Sequence, residues 1–522
     1  MKYPIGIQTF EKIIKEGYVY VDKTDMVYAL ATEGNTYFLS RPRRFGKSLL
    51  LSTLRAYFEG KKELFKGLKI DKLEKDWHVH RVFHFDFNSV NFTQPNALEE
   101  TLDYELSQWE KEYGIEAEFK NQFGLRLEKI LQVAAEQTGH GAVVLIDEYD
   151  KPLLDVLEMD PELLNNNREI LKGFYSTFKK ADAYLRFVFL TGVTKFSQVS
   201  VFSGFNQPKD ISMYEQFEAL CGITEEELHT QFAKPIREMA QTENCTEEEI
   251  KLRLKKHYDG YHFSKQMTDI YNPFSVLNAF DSKRIRDFWF ATGTPTYLIR
   301  LMNHFNEGID ELTGREYSLD EFVNYKADTE YPLPMIYQSG YLTIKNYDRE
   351  MDMFLLDFPN NEVKRGFLAM VASNYLQSGQ PMDSWIKRAV LSLRRGQIDQ
   401  FRQMLTAFLA SIPYSMRRKD EERERERYFQ YTFYLLLRLM SVYTIYIEKE
   451  QSEGRVDCVI ETPQFVYIFE FKLDGTAAGA LQQIEDKGYA REYEADARPV
   501  HKIGVNFSSE TGTIEGWEHA IR

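Results

Sequence analysis

Cysteine is scarce in this chain: Cys221, Cys245 and Cys458 are the only three in 522 residues. So widely spaced, they supply neither a disulfide framework nor a zinc site of the usual spacing, which points to a reducing compartment, the cytoplasm. The opening residues MKYPIGIQTF lack the apolar core of a secretory signal. Long hydrophobic runs are missing with one exception, Tyr428 to Ile447, and that run contains Gln430 and Arg438. An arginine near the centre of a membrane helix costs about 2.5 to 3.5 kcal/mol. The second half of the run, VYTIYIE (442–448), is β-branched and aromatic, so the pattern predicts a core helix followed by a strand and no membrane partner. Glycine (29) and proline (16) are too few for a fibrous or linker-rich chain, and 43% hydrophobic residues exclude a disordered one. Positive charge is also in deficit, 65 Lys and Arg against 80 Asp and Glu, a balance of −15. That argues against non-specific coating of nucleic acid or anionic membrane and leaves room for a local basic groove.

What is present is enough chain for about three or four packed units. Short apolar runs at 36–40 (TYFLS), 81–87 (RVFHFDF), 142–147 (AVVLID) and 185–191 (LRFVFLT) alternate with helical patterns such as Lys47 to Glu59 and Leu98 to Tyr113. Strands alternating with helices predict a mostly parallel, covered sheet. From about 211 the strands are expected to stop and acidic helices to begin, with capping boxes at Thr224-Glu-Glu-Glu227 and Thr246-Glu-Glu-Glu249. Arg388 to Ala410 is again helical, and RRKDEERERER (417–427) leads into a last α/β unit. The expected division is 1–210 for the parallel sheet, 211–345 for a helical lid-like domain, 346–423 for a helical connector and 424–522 for the final α/β domain.

Directly after the strand TYFLS and before a helix stands RPRRFGKS (41–48). Glycine, lysine and a hydroxyl in that order at a strand-to-helix turn can cradle phosphates. The amides of Arg44, Phe45 and Gly46 and the helix N-terminus face the anion, Lys47 reaches the outer phosphates, and Ser48 ligates Mg²⁺. The full pattern wants a glycine where Arg41 stands, and Pro42 pushes Arg41 towards an extended backbone; a plain basic surface turn is the competing reading. AVVLIDEYD (142–150) ends a buried strand in two acids, which places Asp147 to hold Mg²⁺ through water and Glu148 to polarise an attacking water. Both motifs would lie at the C-terminal edge of one sheet, where open α/β folds bind ligands. Thr191, with Thr194 and Lys195 behind it, is placed to sense a γ-phosphate or simply to cap the strand end.

Taken together with VYVDKTD (19–25), FLTGVTKFS (189–197), YDGYHF (258–263), YNPFSVL (271–277), TGTPTYL (292–298) and YQSGYLTI (337–344), these stretches resemble the bacterial AAA-ATPase-like proteins that carry a C-terminal PD-(D/E)xK nuclease-like domain. The resemblance implies an α/β chain: a P-loop NTPase parallel sheet, a helical second domain and a C-terminal restriction-endonuclease-like α/β domain. It also implies ATP as ligand. The motifs from 258 to 344 read as turns packed against the ATPase core.

GRVDCVIETPQFVYIFEFKL (454–473) contains two strand patterns either side of Thr462-Pro463-Gln464. A hairpin centred between Pro463 and Gln464 sets Asp457 directly opposite Glu470, about 4.5 to 5.5 Å apart at Cβ. Lys472 then shares their face, while Phe469 and Phe471 take the other. Two facing carboxylates call for a cation between them, Mg²⁺ or Mn²⁺, with Lys472 activating water. A slip of one residue destroys the arrangement, and a half-exposed hairpin with a Lys–Glu pair is the competing reading. In the family, the resemblance makes Asp457, Glu470 and Lys472 the metal and catalytic residues, gives Gln483 on the helix 480–489 a supporting contact, and leaves Glu424 or Glu426 as a further acid.

The expected function is an ATP-binding, ATP-hydrolysing protein controlling a metal-dependent nuclease that acts on nucleic acid. The alternative is a nucleotide-gated switch or scaffold whose nuclease-like domain binds a partner without cutting. Residues 424–522 hold 17 acids and 11 bases, a poor match for a nuclease that displays a basic track. Oligomeric state, including an arginine offered to a neighbour's ATP site, stays open on the sequence.

Overall fold

The computed structural model describes residues 1–116, 119–195, 208–290, 312–323, 332–376, 382–411, 436, 444–451 and 454–522. It divides into two compact units, Met1–Lys364 and Arg365–Arg522.

In the first unit five strands form one parallel sheet: β1 (Thr36–Ser40), β2 (Val82–Asp86), β3 (Ala142–Asp147), β4 (Leu185–Gly192) and β5 (Lys209–Asp210), in the order β2-β3-β4-β1-β5. The four apolar runs become four of these strands. β3 is buried at every position, as expected of a parallel strand covered on both faces. The order matters for chemistry because β4 lies between β1 and β3. The loops leaving β1 and β3 therefore both border the end of β4, where Ser40 pairs with Gly192. The helix Lys47–Phe58 follows β1 after a short loop, and Leu50, Leu54 and Phe58, four residues apart, are buried on one face of it.

Beyond β5 the strands do not stop, contrary to the sequence expectation. β6 (Ile223–Thr224) pairs antiparallel with β7 (Ile270–Tyr271), and β8 (Arg315–Tyr317), β9 (Thr343–Asp348) and β10 (Met353–Asp357) form an antiparallel sheet in the order β8-β10-β9. β6, β7 and β8, of two or three residues, are too short to show an alternating pattern among acidic helices, whereas β9 and β10, of six and five residues, contradict the expectation that 346–423 begins as a helical connector. The helices themselves are capped as read. Thr224 and Glu227 close a full capping box, while at Thr246 only the hydroxyl half, accepting from the Glu249 amide, is formed. Arg388 to Ala410 is not one helix but two, Met382–Arg394 and Ile398–Ala410. Gly396 separates them at φ 69°, and a side chain there would meet the Phe465 ring at 2.9 Å.

The second unit contains a five-stranded sheet in sequence order: β11 (Thr444–Gln451), β12 (Gly454–Glu461), β13 (Val466–Leu473), β14 (Val500–Phe507) and β15 (Ile514–Ile521). Only β13 and β14 run parallel, joined through the helix Ala477–Asp486. That helix lies directly on β14: a side chain at Gly504 would meet the Leu481 amide nitrogen at 2.6 Å. The predicted strand after Tyr428 appears as β11; the preceding helix, like Glu424 and Glu426, falls outside the described residues. Among the described residues no helix is long and apolar enough to cross a membrane.

Candidate functional site

Two constellations stand out, one in each unit. In the first, the loop 41–46 turns sharply between β1 and its helix. Arg44 (φ 66°) and Gly46 (φ 96°) take left-handed conformations either side of Phe45, a curl that turns successive amides towards one concavity. The left-handed conformation at a non-glycine residue is costly and is retained where the surroundings fix it. Here they do. The Arg44 guanidinium lies 5.2 Å from the Phe274 ring centroid. The Phe45 ring packs edge-on against Tyr261 (4.7 Å) and Phe263 (5.6 Å), and Pro42 fills the space a side chain at Gly340 would need. The stretches YDGYHF, YNPFSVL and YQSGYLTI thus converge on the loop as packing partners.

Arg41 explains its own departure from glycine. It is buried, and its guanidinium donates to the carbonyls of Ser40 (2.9 Å), Ser212 (2.7 Å), Phe217 (3.2 Å) and Glu218 (3.4 Å). It also stacks over Phe263 at 4.1 Å. The residue therefore locks the start of the loop to the segment after β5. Lys47, also buried, donates from Nζ to the Arg41 carbonyl (2.9 Å) and the Pro42 carbonyl (3.2 Å).

At the end of β3, Asp147 is buried and its Oδ1 accepts from the Thr191 hydroxyl (2.6 Å) and the Glu148 amide (3.1 Å). Glu148 sits at φ 52°. Burial pushes its carboxyl above the ordinary range, and Lys47 is the largest opposing influence, so the two side chains share one electrostatic environment. Of the three polar residues read at the end of β4, only Thr191 touches an acid of this edge that was singled out. Thr194 instead donates its hydroxyl to Asp150 (2.7 Å), and Lys195 is ion-paired with Asp210 (2.7 Å). Asp150 itself was missed by sequence reasoning. Buried, it accepts the amides of Val193 (3.0 Å) and Thr194 (2.7 Å) and so ties the β3 loop to the β4 loop. Its place two residues after Glu148 in DEYD was the available signal.

In the second unit the hairpin register is the one the turn implied. Cys458 pairs with Phe469, Val459 with Ile468, Ile460 with Tyr467 and Glu461 with Val466; the paired ladder ends there, one position short of Asp457 and Glu470. The weak Pro-Gln turn is rescued by Thr462, whose hydroxyl accepts from the Phe465 amide (2.8 Å). Beyond Cys458 the ladder gives way to a side chain: Asp457 Oδ2 accepts from the Phe471 amide (2.8 Å). Glu470 is buried, and burial followed by repulsion from Asp457 pushes its carboxyl up to about 7. Its Oε1 accepts from the Gln483 side-chain amide, and Lys472 Nζ lies 3.8 Å away. Gln483 Oε1 in turn accepts from Lys472 Nζ at 2.6 Å. Phe469 and Phe471 occupy the opposite face, where Phe469 meets Phe401 and Trp517.

Glu470 Oε2 is buried without a hydrogen-bond partner, an arrangement that is expensive unless something positive is supplied. A hard divalent cation with oxygen ligands fits Asp457 and Glu470. Among the described residues no group of three or more His, Cys, Asp or Glu is placed to hold a metal ion, so a cation here would need ligands beyond these two acids. The raised carboxyl gives a pH dependence with a definite sign. The folded protein keeps the Glu470 proton up to about 7, whereas an ordinary carboxyl releases it near 4.5. Between those values the folded state binds more protons, so its stability falls as pH rises. A cation held by Glu470 would replace that proton; if one binds there, thermal unfolding scans should show Mn²⁺ stabilising the protein more at about pH 8 than at about pH 5.5. Glu470→Gln should flatten the pH dependence and remove the Mn²⁺ effect. An Mn²⁺ shift in that variant equal to the unaltered protein's would contradict the assignment.

Residues 4–202 match the family described as a predicted AAA-ATPase, AAA-ATPase-like, and residues 424–517 match the PD-(D/E)XK nuclease superfamily. A relative from Azotobacter chroococcum mcd 1, named "Uncharacterized protein in vnfD 5'region", is 36% identical over 529 residues, covering 99% of this chain and 98% of the relative. The chain belongs to this family of AAA-ATPase-like proteins with a C-terminal PD-(D/E)XK nuclease superfamily domain. Two Aeropyrum pernix structures are similar at a low level. The ORC2 protein in ADPNP–ADP complexes has 13% identity and a TM-score of 0.27 over 69% of this chain and 98% of that one. The ORC1 protein in complex with DNA has 12% identity and a TM-score of 0.24 over 93% and 98%.

Proposed function

We propose that the chain binds and hydrolyses ATP at the β1–β3 edge and uses the nucleotide cycle to govern a metal-dependent nuclease acting on nucleic acid. The observation that supports this most is that the loop after β1 and the end of β3 lie at one edge of the sheet, where Thr191 of β4 is bonded to Asp147 and the Lys47 charge acts on the Glu148 carboxyl. Phosphates would seat against the amides of Arg44, Phe45 and Gly46, and Lys47 would exchange the Arg41 and Pro42 carbonyls for phosphate oxygens. Ser48 and Asp147 would hold Mg²⁺, which offsets charge on the β- and γ-phosphate oxygens. Glu148, its proton affinity raised by burial, accepts a proton from the attacking water as the bond between the γ-phosphorus and the bridging oxygen breaks and ADP leaves.

In the second unit Asp457 and Glu470 would hold Mg²⁺ or Mn²⁺, which lowers the pKa of a water and neutralises the scissile phosphate. Lys472 aligns the attacking water, and Gln483 fixes Lys472 against Glu470. A second reading, a gated scaffold that binds a partner without cutting, is favoured by the 17 acids against 11 bases of 424–522. The chemistry of the first unit is tested by phosphate release from ATP. Glu148→Gln should leave ATP affinity nearly unchanged and slow release by about 100-fold or more; an equal rate would rule Glu148 out as the base.

A further inference from the structure

One side chain outside the phosphate loop controls a peptide plane within it. Trp289 is buried, and its indole Nε1–H donates to the Arg43 carbonyl at 3.1 Å. In a trans peptide the carbonyl of one residue and the N–H of the next point in opposite directions. Holding the Arg43 oxygen on the indole therefore sends the Arg44 N–H the other way. It also polarises that amide as a donor. Arg44 is one of the two left-handed residues of the loop, with Gly46.

Trp289 is itself anchored. Its backbone N–H donates to Glu362 Oε1 at 2.6 Å, and the other oxygen of that buried carboxyl accepts from Ser275 Oγ at 2.7 Å. The Tyr341 ring packs against the indole at 5.1 Å. Glu362 is the second residue of the helix Asn361–Leu376. Asn360 precedes that helix, accepting the Val363 amide (3.1 Å) and donating to the Asp259 carbonyl (2.8 Å). Ser275, Tyr341 and Asp259 belong to the three stretches that pack on the loop.

We propose that Trp289, anchored by Glu362, is a positioning residue that aims the Arg44 N–H at a bound polyphosphate and thereby ties occupancy of the loop to the start of the helix Asn361–Leu376. This rests on the reading of loop 41–48 as the ATP-phosphate site. The test uses the full chain with ATP and Mg²⁺. Trp289→Phe keeps a ring against Tyr341 and removes the N–H. Its KM and dissociation constant for ATP should rise about ten-fold, the value of one hydrogen bond to a charged partner's donor, with kcat and melting temperature nearly unchanged. Glu362→Gln retains an acceptor for the Trp289 amide and should bind ATP as the unaltered protein does, whereas Glu362→Ala should share the loss. This Glu362 pair decides the matter if Trp289→Phe does not fold. Unchanged ATP affinity in Trp289→Phe, or equal losses in both Glu362 variants, would overturn the proposal. Absence of ATP binding by the unaltered chain would instead overturn the nucleotide reading on which it stands.

Discussion

Replacing Lys47 with alanine should abolish measurable ATP binding by the full chain in a calorimetric titration. Nζ now satisfies the Arg41 and Pro42 carbonyls, so the ammonium is already held over the loop and needs only to change acceptors. A hydrogen bond to a charged group contributes about 1.5 to 3 kcal/mol, which makes the loss of one contact worth about 10- to 100-fold in affinity. Lys47 would make more than one such contact with a triphosphate, and its removal also leaves Glu148 and Asp147 facing the anion without the nearest positive charge. The fold should survive, because the helix Lys47–Phe58 is held by its buried leucines and by Phe58. Unchanged ATP affinity in a folded Lys47→Ala protein would remove the phosphate-loop assignment.

Alanine at Asp457, Glu470 or Lys472 should reduce Mn²⁺-dependent cutting of nucleic acid by about 1,000-fold or more, since in the proposed mechanism each would act on the charge developed at the scissile phosphate. ATP hydrolysis should be unaffected, because these residues belong to the second unit. Lys472 gives the cleanest variant. Its side chain is 38% exposed, and its loss frees Gln483 Oε1 and removes the cation 3.8 Å from Glu470 Oε1. Glu470→Ala leaves the Gln483 amide without its acceptor and Asp457 without its opposing carboxyl, so melting temperature must be measured alongside cutting. Cutting by Lys472→Ala at the unaltered rate would show that the activity resides elsewhere.

Both sites were legible in the sequence to the extent that local chain geometry determines them. A strand, a tight turn with Gly46 and a helix are successive in the chain, and so their meeting needs no knowledge of the rest. The Cys458–Phe469 register, one position short of Asp457 and Glu470, follows from a hairpin whose turn is set by Thr462 within three residues. What was not legible depends on partners far away. Arg41 looked like a defect at a glycine position because three of the four carbonyls it serves lie more than 170 residues further on. Trp289 reaches Arg43 across 246 residues, and no spacing rule connects them. The division of Arg388 to Ala410 at Gly396 is imposed by the Phe465 ring, again a tertiary neighbour. The short strands β6 to β8 escaped for the opposite reason: each is too brief to carry a period.

Charge is distributed differently between the first unit's loop and the last residues of the chain. Residues 1–60 hold nine bases and six acids, and 211–250 hold ten acids and two bases, much of the latter in the first turns of capped helices. The overall balance of −15 is therefore uneven along the chain, and the acidic character of 424–522 has no such capping explanation.

The most direct test of nucleotide-governed cutting is the rate at which the full chain cuts single- and double-stranded DNA and RNA in Mn²⁺ or Mg²⁺, with and without ATP, beside Lys47→Ala and Lys472→Ala. The predicted result is cutting that ATP changes in the unaltered protein, that ATP leaves unchanged in Lys47→Ala, and that disappears in Lys472→Ala. No cutting of any of these substrates under any of these conditions would contradict it and leave the gated scaffold as the better description.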